Sequence, residues 1–278
     1  MTWRYLGAPR ARGPLLRRFL GLWRHRRLLR RMAERELRQR YVGSTIGLAW
    51  AVIYPLLLVG FYTGIFAFIF RGRLSPAAPP GEYAIYVVTG LLPWVAFSEV
   101  SSRATQVMAD NRGLVKFAMF PIQILPLTAL YAASISHAAG LALVLAFAAW
   151  TRHGLGLELL WLVPALVMQL FLLAGVSWLL GALGAVIRDV KELVGIGLTV
   201  GMFATPIFYV EADTPPALRP IIEANPMTHV IRLYRLALLD VGRVDAVNLV
   251  VVTVAAIVLL LLGFHTFERV RIFLADIL

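Results

Sequence analysis

Long runs without a charged side chain restrict most strongly what this chain can become. Gly47–Phe70, Tyr83–Ser98, Ile122–Trp150, Leu159–Ile187, Leu193–Val210 and Ala246–Phe264 are each uncharged and mainly apolar. A bilayer core of about 30 Å is crossed by roughly 20 residues of helix at about 1.5 Å per residue. In lipid the backbone must satisfy its own hydrogen bonds, so these runs are expected as helices. Barrel strands alternate apolar and polar positions over about ten residues, a pattern these runs lack. Composition agrees: the chain is 60% hydrophobic and 15% charged, where soluble domains are about 45–50% apolar and about 25% charged. The expected fold class is all-α integral membrane, with six transmembrane helices.

Six crossings put both termini on one side. With the N-terminus in the cytoplasm, 20 of the 27 basic residues fall inside, as the positive-inside rule requires. The chain is therefore expected to be multi-pass with both termini cytoplasmic. The net charge is +12 and the basic residues cluster beside apolar segments. Their anionic partner is thus expected to be membrane lipid phosphate and not nucleic acid. There is no cysteine, which removes disulfides, thiolate metal sites and cysteine nucleophiles and leaves the redox compartment open.

Three regions follow: a cytoplasmic arm over 1–46, a transmembrane domain over 47–267 and a cytoplasmic tail over 268–278. The arm is too long, and the apolar run after it too extended, for a cleavable signal peptide. Within the arm Leu22, Leu29, Met32, Ala33, Leu37 and Tyr41 recur at helical spacing. Arg24, Arg26, Arg27, Arg30, Arg31, Arg35 and Arg38 occupy the other face. This pattern predicts an amphipathic helix in the cytoplasmic interface, serving as an orientation anchor or as a contact for a cytoplasmic partner.

Residues 211–245 mix nine charged residues with four prolines and apolar patches. They fit short broken helices dipping into the outer membrane face, a re-entrant segment between spans 5 and 6. An external loop packed on the membrane domain is the alternative. On the cytoplasmic side, Asp110 and Asn111 are expected as helix N-caps. Leu114, Val115, Phe117 and Met119 would follow as apolar side chains facing the cytoplasm or interface beside Arg112 and Lys116. Such a helix suits a docking partner, or else the segment folds against the membrane. Gly60 with Gly64, and Gly197 with Gly201, are small-residue pairs that permit close helix approach, inside one subunit or between two. Span 1 carries aromatic stripes. Trp50, Tyr54, Phe61 and Tyr62 are candidates to line a channel suited to sugars, or are core and lipid-facing groups.

The missing chemistry narrows function further. The only lysines, Lys116 and Lys191, each follow a valine, so no G-x-x-x-x-G-K-[ST] phosphate cradle exists. The five histidines show no metal-site spacing. His137, inside span 3, reads as a satisfied polar group between helices, with a proton relay as the alternative. Span interiors hold no charge for ion coupling, and Glu99 can pair with Arg103 four residues on. Uphill transport would therefore draw its energy from a partner.

Several blocks resemble one family. Arg38-Gln-Arg-Tyr-Val-Gly-Ser-Thr-Ile-Gly-Leu-Ala-Trp50 with Tyr54-Pro55-Leu56 is similar to the start of span 1 in type-2 ABC export permeases. Gly90-Leu-Leu-Pro-Trp94, Ile187-Arg-Asp-Val-Lys-Glu192, Thr205-Pro-Ile-Phe-Tyr209 and Asn225-Pro226 follow in the family's order. Together they cover about residues 35–240. The closest subgroup exports lipid-linked polysaccharide such as O antigen, capsule or teichoic acid.

The resemblance implies a homodimer with two separate ABC ATPase subunits, which hold ATP and Mg, so that this chain carries no cofactor and no catalytic residue. It implies that Asn111, Arg112, Leu114, Lys116 and Phe117 form an ATPase-coupling helix. The interface helix (Leu29, Met32, Leu37, Tyr41) would couple as well, and Arg188 and Asp189 would make a cytoplasmic turn. It implies an extracytoplasmic gate at Pro206, Phe208, Tyr209, Asn225 and Pro226. The leading function is thus an exporter permease for a lipid-linked glycan. A passive channel or flippase, or a membrane enzyme acting on lipid-linked sugars, are the alternatives.

Overall fold

The computed structural model describes Phe19 and residues 21–40, 43–65, 82–115, 120–151, 156–241 and 245–274. Among these residues every regular element is helical. A 3-10 turn, Leu22–His25, leads into α1 (Arg26–Arg40). Then come α2 (Trp50–Gly64), α3 (Glu82–Ala104) and the one-turn helices α4 (Val107–Asp110) and α5 (Arg112–Val115). The chain continues with α6 (Leu125–Thr151), α7 (Leu162–Val186), α8 (Val190–Ala204), α9 (Arg219–Ala224), α10 (Pro226–Leu239) and α11 (Ala246–Val270).

Four stretches are long and apolar enough to cross a membrane: Glu82–Ala104, Ile122–Ala149, Leu157–Val186 and Ala246–Val270. They coincide with the second, third, fourth and sixth uncharged runs. The helices in the first and fifth runs, α2 and α8, have 15 residues each. That length spans roughly 22 Å, short of a bilayer core. Residues 66–70 of the first run lie outside the described residues.

The fifth run is not one helix, contrary to the expectation over Leu193–Val210. It starts earlier, at Val190, and stops at Ala204, where Thr205 turns to an extended ψ of 138°. Pro206 is the cause, because a proline disfavours helical backbone at the residue before it. At the other end of the chain, α11 runs past the tail boundary expected at 268. Its Glu268 is buried and accepts a hydrogen bond from Gln123 Nε2 at 3.0 Å, with Arg271 Nη2 at 3.3 Å.

The sequence signals α10 least clearly; it lies between the fifth and sixth uncharged runs. Met227, Val230, Ile231, Leu233, Tyr234 and Leu238 are all fully buried. They form one apolar cluster with Leu91 and Trp94 of α3, Val144 of α6, Leu172 of α7 and Val252 of α11. The stretch holds two helices, α9 and α10, and α10 packs into the bundle. His137 lies between helices but is only half satisfied: its Nε2 meets Tyr234 Oη at 2.8 Å, while its buried Nδ1 has no hydrogen-bond partner among the described residues. Tyr234 donates in turn to Gln169 Oε1, and Gln169 Nε2 donates to the Pro93 carbonyl at 3.3 Å.

The closest helix approach uses two glycines outside the pairs singled out. A Cβ on Gly263 would sit 2.0 Å from the Gly175 carbonyl oxygen, and one on Gly175 would sit 2.3 Å from the backbone of Leu259. Backbone-to-backbone contact between α7 and α11 therefore needs glycine at both positions. Gly60, Gly64 and Gly197 have no described atom within 4 Å of such a Cβ, whereas Gly201 backs onto Trp94 at 2.9 Å.

α1 has the expected two faces. Ala33 and Leu37 are buried and Leu29 and Met32 half-buried, while the seven arginines are exposed or nearly so. The apolar face packs on α6, and Arg103 Nη1 of α3 donates to Glu36 Oε1 at 3.2 Å. Arg103 also meets Glu99, at 3.5 Å, forming the expected i,i+4 pair. Tyr41 lies outside the described residues.

Candidate functional site

The break after α8 creates a chemical problem that the surrounding helices solve. Backbone outside a helix or sheet still carries carbonyls that need donors when buried. Thr205, Pro206 and Ile207 are buried, and the carbonyls that follow find side-chain donors on two helices. Arg235 Nη2 of α10 donates to the Pro206 carbonyl at 2.5 Å and to the Ile207 carbonyl at 3.3 Å. Tyr83 Oη of α3 donates to the Phe208 carbonyl at 2.5 Å, and Tyr86 Oη donates to the Tyr209 carbonyl at 3.3 Å. Four consecutive carbonyls are thus held by three side chains.

Arg235 is 3% exposed, so its charge is almost wholly removed from water. Its guanidinium carbon lies 3.5 Å from the centre of the Tyr86 ring, close enough for a cation–π contact. Glu211 Oε1 stands 3.9 Å from its Nη1. Gly90 of α3 leaves the needed room, since a Cβ there would be 3.1 Å from Arg235 Nη2.

The other gate candidates converge on the same segment. Asn225 accepts from Met227 N at 3.0 Å, capping α10, with Pro226 at the first helical position. The Asn225 amide also donates to Thr205 Oγ1 at 2.7 Å. The Thr205–Tyr209 and Asn225–Pro226 blocks, 15 residues or more apart in sequence, are therefore joined directly. Phe208 stacks on Tyr62 of α2, with ring centres 5.8 Å apart. Of the channel candidates only Tyr62 reaches this segment. Tyr54 and Phe61 are 53% and 63% exposed, and Trp50 donates to Ser44 Oγ at 3.1 Å.

Beside this segment a cleft of about 300 Å³ is lined by Glu211, Thr214, Arg219, Ile222, Glu223 and Arg232. Arg232 bridges two carboxylates, contacting Glu211 at 2.7 Å and Glu223 at 2.5 Å. The Arg232 hydrogen bond holds the Glu223 carboxyl below the usual carboxylate range. His229 Nδ1 meets Asn248 Oδ1 at 2.7 Å, tying α10 to the start of α11. Among the described residues no three His, Cys, Asp or Glu side chains group as a metal site.

On the opposite, arginine-rich side, the coupling candidates are only partly as expected. Asn111 does not cap the helix that follows. Its Nδ2 donates back to the Val107 carbonyl at 2.9 Å, closing the turn that precedes it. Val115 is 2% exposed and Leu114 half-buried against Val107 and Met108, so these two do not present apolar groups outward. Their turn is amphipathic and its apolar side is already covered. Arg112 is exposed. Lys116, Phe117 and Met119 lie outside the described residues. Arg188 and Asp189 are both exposed in the turn between α7 and α8, and the Asp189 carbonyl accepts from the backbone of Glu192 and Leu193.

Arg235, Tyr83 and Tyr86 were not among the sequence candidates. The available signal was Arg232 and Arg235, two arginines three apart within an otherwise apolar stretch. Both are among the seven basic residues that six crossings with a cytoplasmic N-terminus place outside.

Residues 27–239 match the ABC-2 type transporter family. The chain is 28% identical over 259 residues to the O-antigen export system permease protein RfbA of Myxococcus xanthus, covering 90% of this chain and 95% of that protein. It is 24% identical over 248 residues to the protein of the same name from Klebsiella pneumoniae, covering 89% and 93%. The polysialic acid transport protein KpsM of Escherichia coli is 24% identical over 230 residues, covering 82% and 88%.

Proposed function

This chain belongs to the ABC-2 type transporter family, and on that premise we propose that it is the membrane permease subunit of an ATP-driven exporter of lipid-linked polysaccharide. The carrying observation is the family match across most of the chain, together with near full-length similarity to permeases of O-antigen and polysialic acid transport. It is a transport subunit and not an enzyme. An ABC ATPase partner supplies the drive and holds ATP and Mg.

The finer architecture proposed is a homodimer of six-span subunits in the bacterial inner membrane, both termini cytoplasmic, with two ATPase subunits below. Here α2 and α8, each short of a bilayer core alone, would complete the six crossings together with the uncharged residues that follow them in the sequence, 65–70 and 205–210. The exposed apolar rows of α8 (Leu193, Ile196, Val200, Phe203) and α2 (Tyr54, Leu57, Phe61) suit lipid or a second copy. The exposed arginines of α1 suit lipid phosphates at the cytoplasmic face. Arg112 and the turn at Arg188–Asp189 are the proposed ATPase-facing groups. The segment 205–226 with α9 and α10 is proposed as the re-entrant extracytoplasmic gate, and Tyr62 as the channel aromatic nearest to it.

The test is complementation. The chain, co-expressed with the ABC ATPase that co-purifies with it, is placed in a strain whose O-antigen permease is deleted. Surface polysaccharide should return and should be lost when the ATPase cannot hydrolyse ATP. Surface polysaccharide that persists with a dead ATPase refutes the proposal.

A further inference from the structure

The gate reading leaves open what holds the segment shut, and the geometry points to one side chain. We propose that Arg235 is the positioning residue that clasps residues 206–209 in the closed state, and that each export cycle releases this segment from it. The inference rests on the gate proposed above and goes beyond it by naming the group that must let go.

The argument starts from which part can move. Arg235 is enclosed by the Tyr86 ring, Gly90 and the core of α10. Its neighbours on α10, Tyr234 and Leu233, are fully buried. Residues 206–209 by contrast lie in no regular helix. Of their four carbonyls, two are held by Arg235 and one each by Tyr83 and Tyr86. The segment is therefore fixed by side-chain donors that can each be exchanged for water. A helix held by its own ladder would have to unfold to do the same.

Arg235 also organises the other two donors. Its charge sits on the face of Tyr86, and Tyr83 stacks on Tyr86 with ring centres 6.2 Å apart. Removing the guanidinium orphans two carbonyls and loosens a third donor. Both carbonyls accept from the same nitrogen, Nη2, so a lysine ammonium preserves the charge and can still donate, but it lacks the planar guanidinium that lies on the Tyr86 face.

The experiment uses the permease–ATPase complex in vesicles, with Tyr209→Cys as the only cysteine. Labelling by a membrane-impermeant maleimide from the extracytoplasmic side is followed with and without ATP. With Arg235 intact, labelling should be slow without ATP and faster during turnover. Arg235→Gln should raise the nucleotide-free rate by about tenfold, the effect of losing a buried hydrogen bond to a charged group. Arg235→Lys should fall between the two, and Gly90→Ala should raise the rate by crowding the guanidinium. The thermal midpoint of each complex checks folding, and Arg235→Lys carries the test if Arg235→Gln does not assemble. Unchanged nucleotide-free labelling in an assembled Arg235 variant overturns the clasp while leaving the gate standing. If Tyr209→Cys with Arg235 intact is never labelled from outside, even during turnover, the gate reading itself fails and the clasp with it.

Discussion

Replacing Asn225 breaks two bonds with different partners, and the two can be measured separately. Its Oδ1 caps α10 through Met227 N at 3.0 Å, and its Nδ2 donates to Thr205 Oγ1 at 2.7 Å. Losing an N-cap costs typically about 1 kcal/mol, and losing a hydrogen bond costs about 1 kcal/mol more. Asn225→Ala should therefore destabilise by about 2 kcal/mol. Asn225→Asp retains the cap acceptor and loses only the donor, so about 1 kcal/mol is expected. Thr205→Val removes the other partner of the same bond and also the bond from Thr205 Oγ1 to the Gly201 carbonyl at 2.7 Å, for about 2 kcal/mol. The double variant Asn225→Ala with Thr205→Val should then cost less than the sum of the singles by about 1 kcal/mol. Unfolding of the detergent-solubilised chain, followed by tryptophan fluorescence, reads all four values. Strict additivity in the double variant would show that the two blocks are not bonded as described, and equal losses for Asn225→Ala and Asn225→Asp would show that Oδ1 does not cap α10.

Three further outcomes follow from the packing and charges. Gly175→Ala forces α7 and α11 apart and should cost about 1–3 kcal/mol, whereas Gly60→Ala should stay within about 0.5 kcal/mol; the same unfolding assay compares them. Tyr62→Ala removes the ring stacked on Phe208 and should impair polysaccharide export more than Tyr54→Ala, whose ring is largely exposed; surface polysaccharide in complemented cells is the readout. Glu223 has a depressed folded pKa, so its contribution to stability is complete above the unfolded value of about 4.3 and lost as pH falls through the lower folded value. Glu223→Gln should flatten that acid dependence in a pH series of thermal midpoints.

Hydropathy carried most of the fold. Four uncharged runs became the four long helices because length and apolarity alone decide what can cross a bilayer. The two-faced α1 was equally legible, since exposed arginines and buried Ala33 and Leu37 follow helical period directly. The fifth run misled because hydropathy is blind to backbone: Pro206 ends α8 among residues as apolar as those before it. α10 was recognised as helical but not as central. Its arginines marked it as external, and only the structure supplies the partners that let a charge such as Arg235 be buried. The Thr205–Tyr209 and Asn225–Pro226 blocks stand out by resemblance, yet their pairing through Asn225 and Thr205 is a tertiary contact that no local pattern encodes. At the turn after α3, amphipathic side chains suggested outward display, and neighbours remote in sequence cover them instead.

The central claim is that this subunit forms the path and borrows its energy. The direct measurement is reconstitution of the purified chain into vesicles loaded with lipid-linked glycan, alone and with its ABC ATPase. Alone it should neither hydrolyse ATP nor move glycan against a gradient, and with the ATPase it should do so only while ATP lasts. Hydrolysis by the isolated chain, or uphill movement driven by an ion gradient in the absence of the ATPase, would contradict the account.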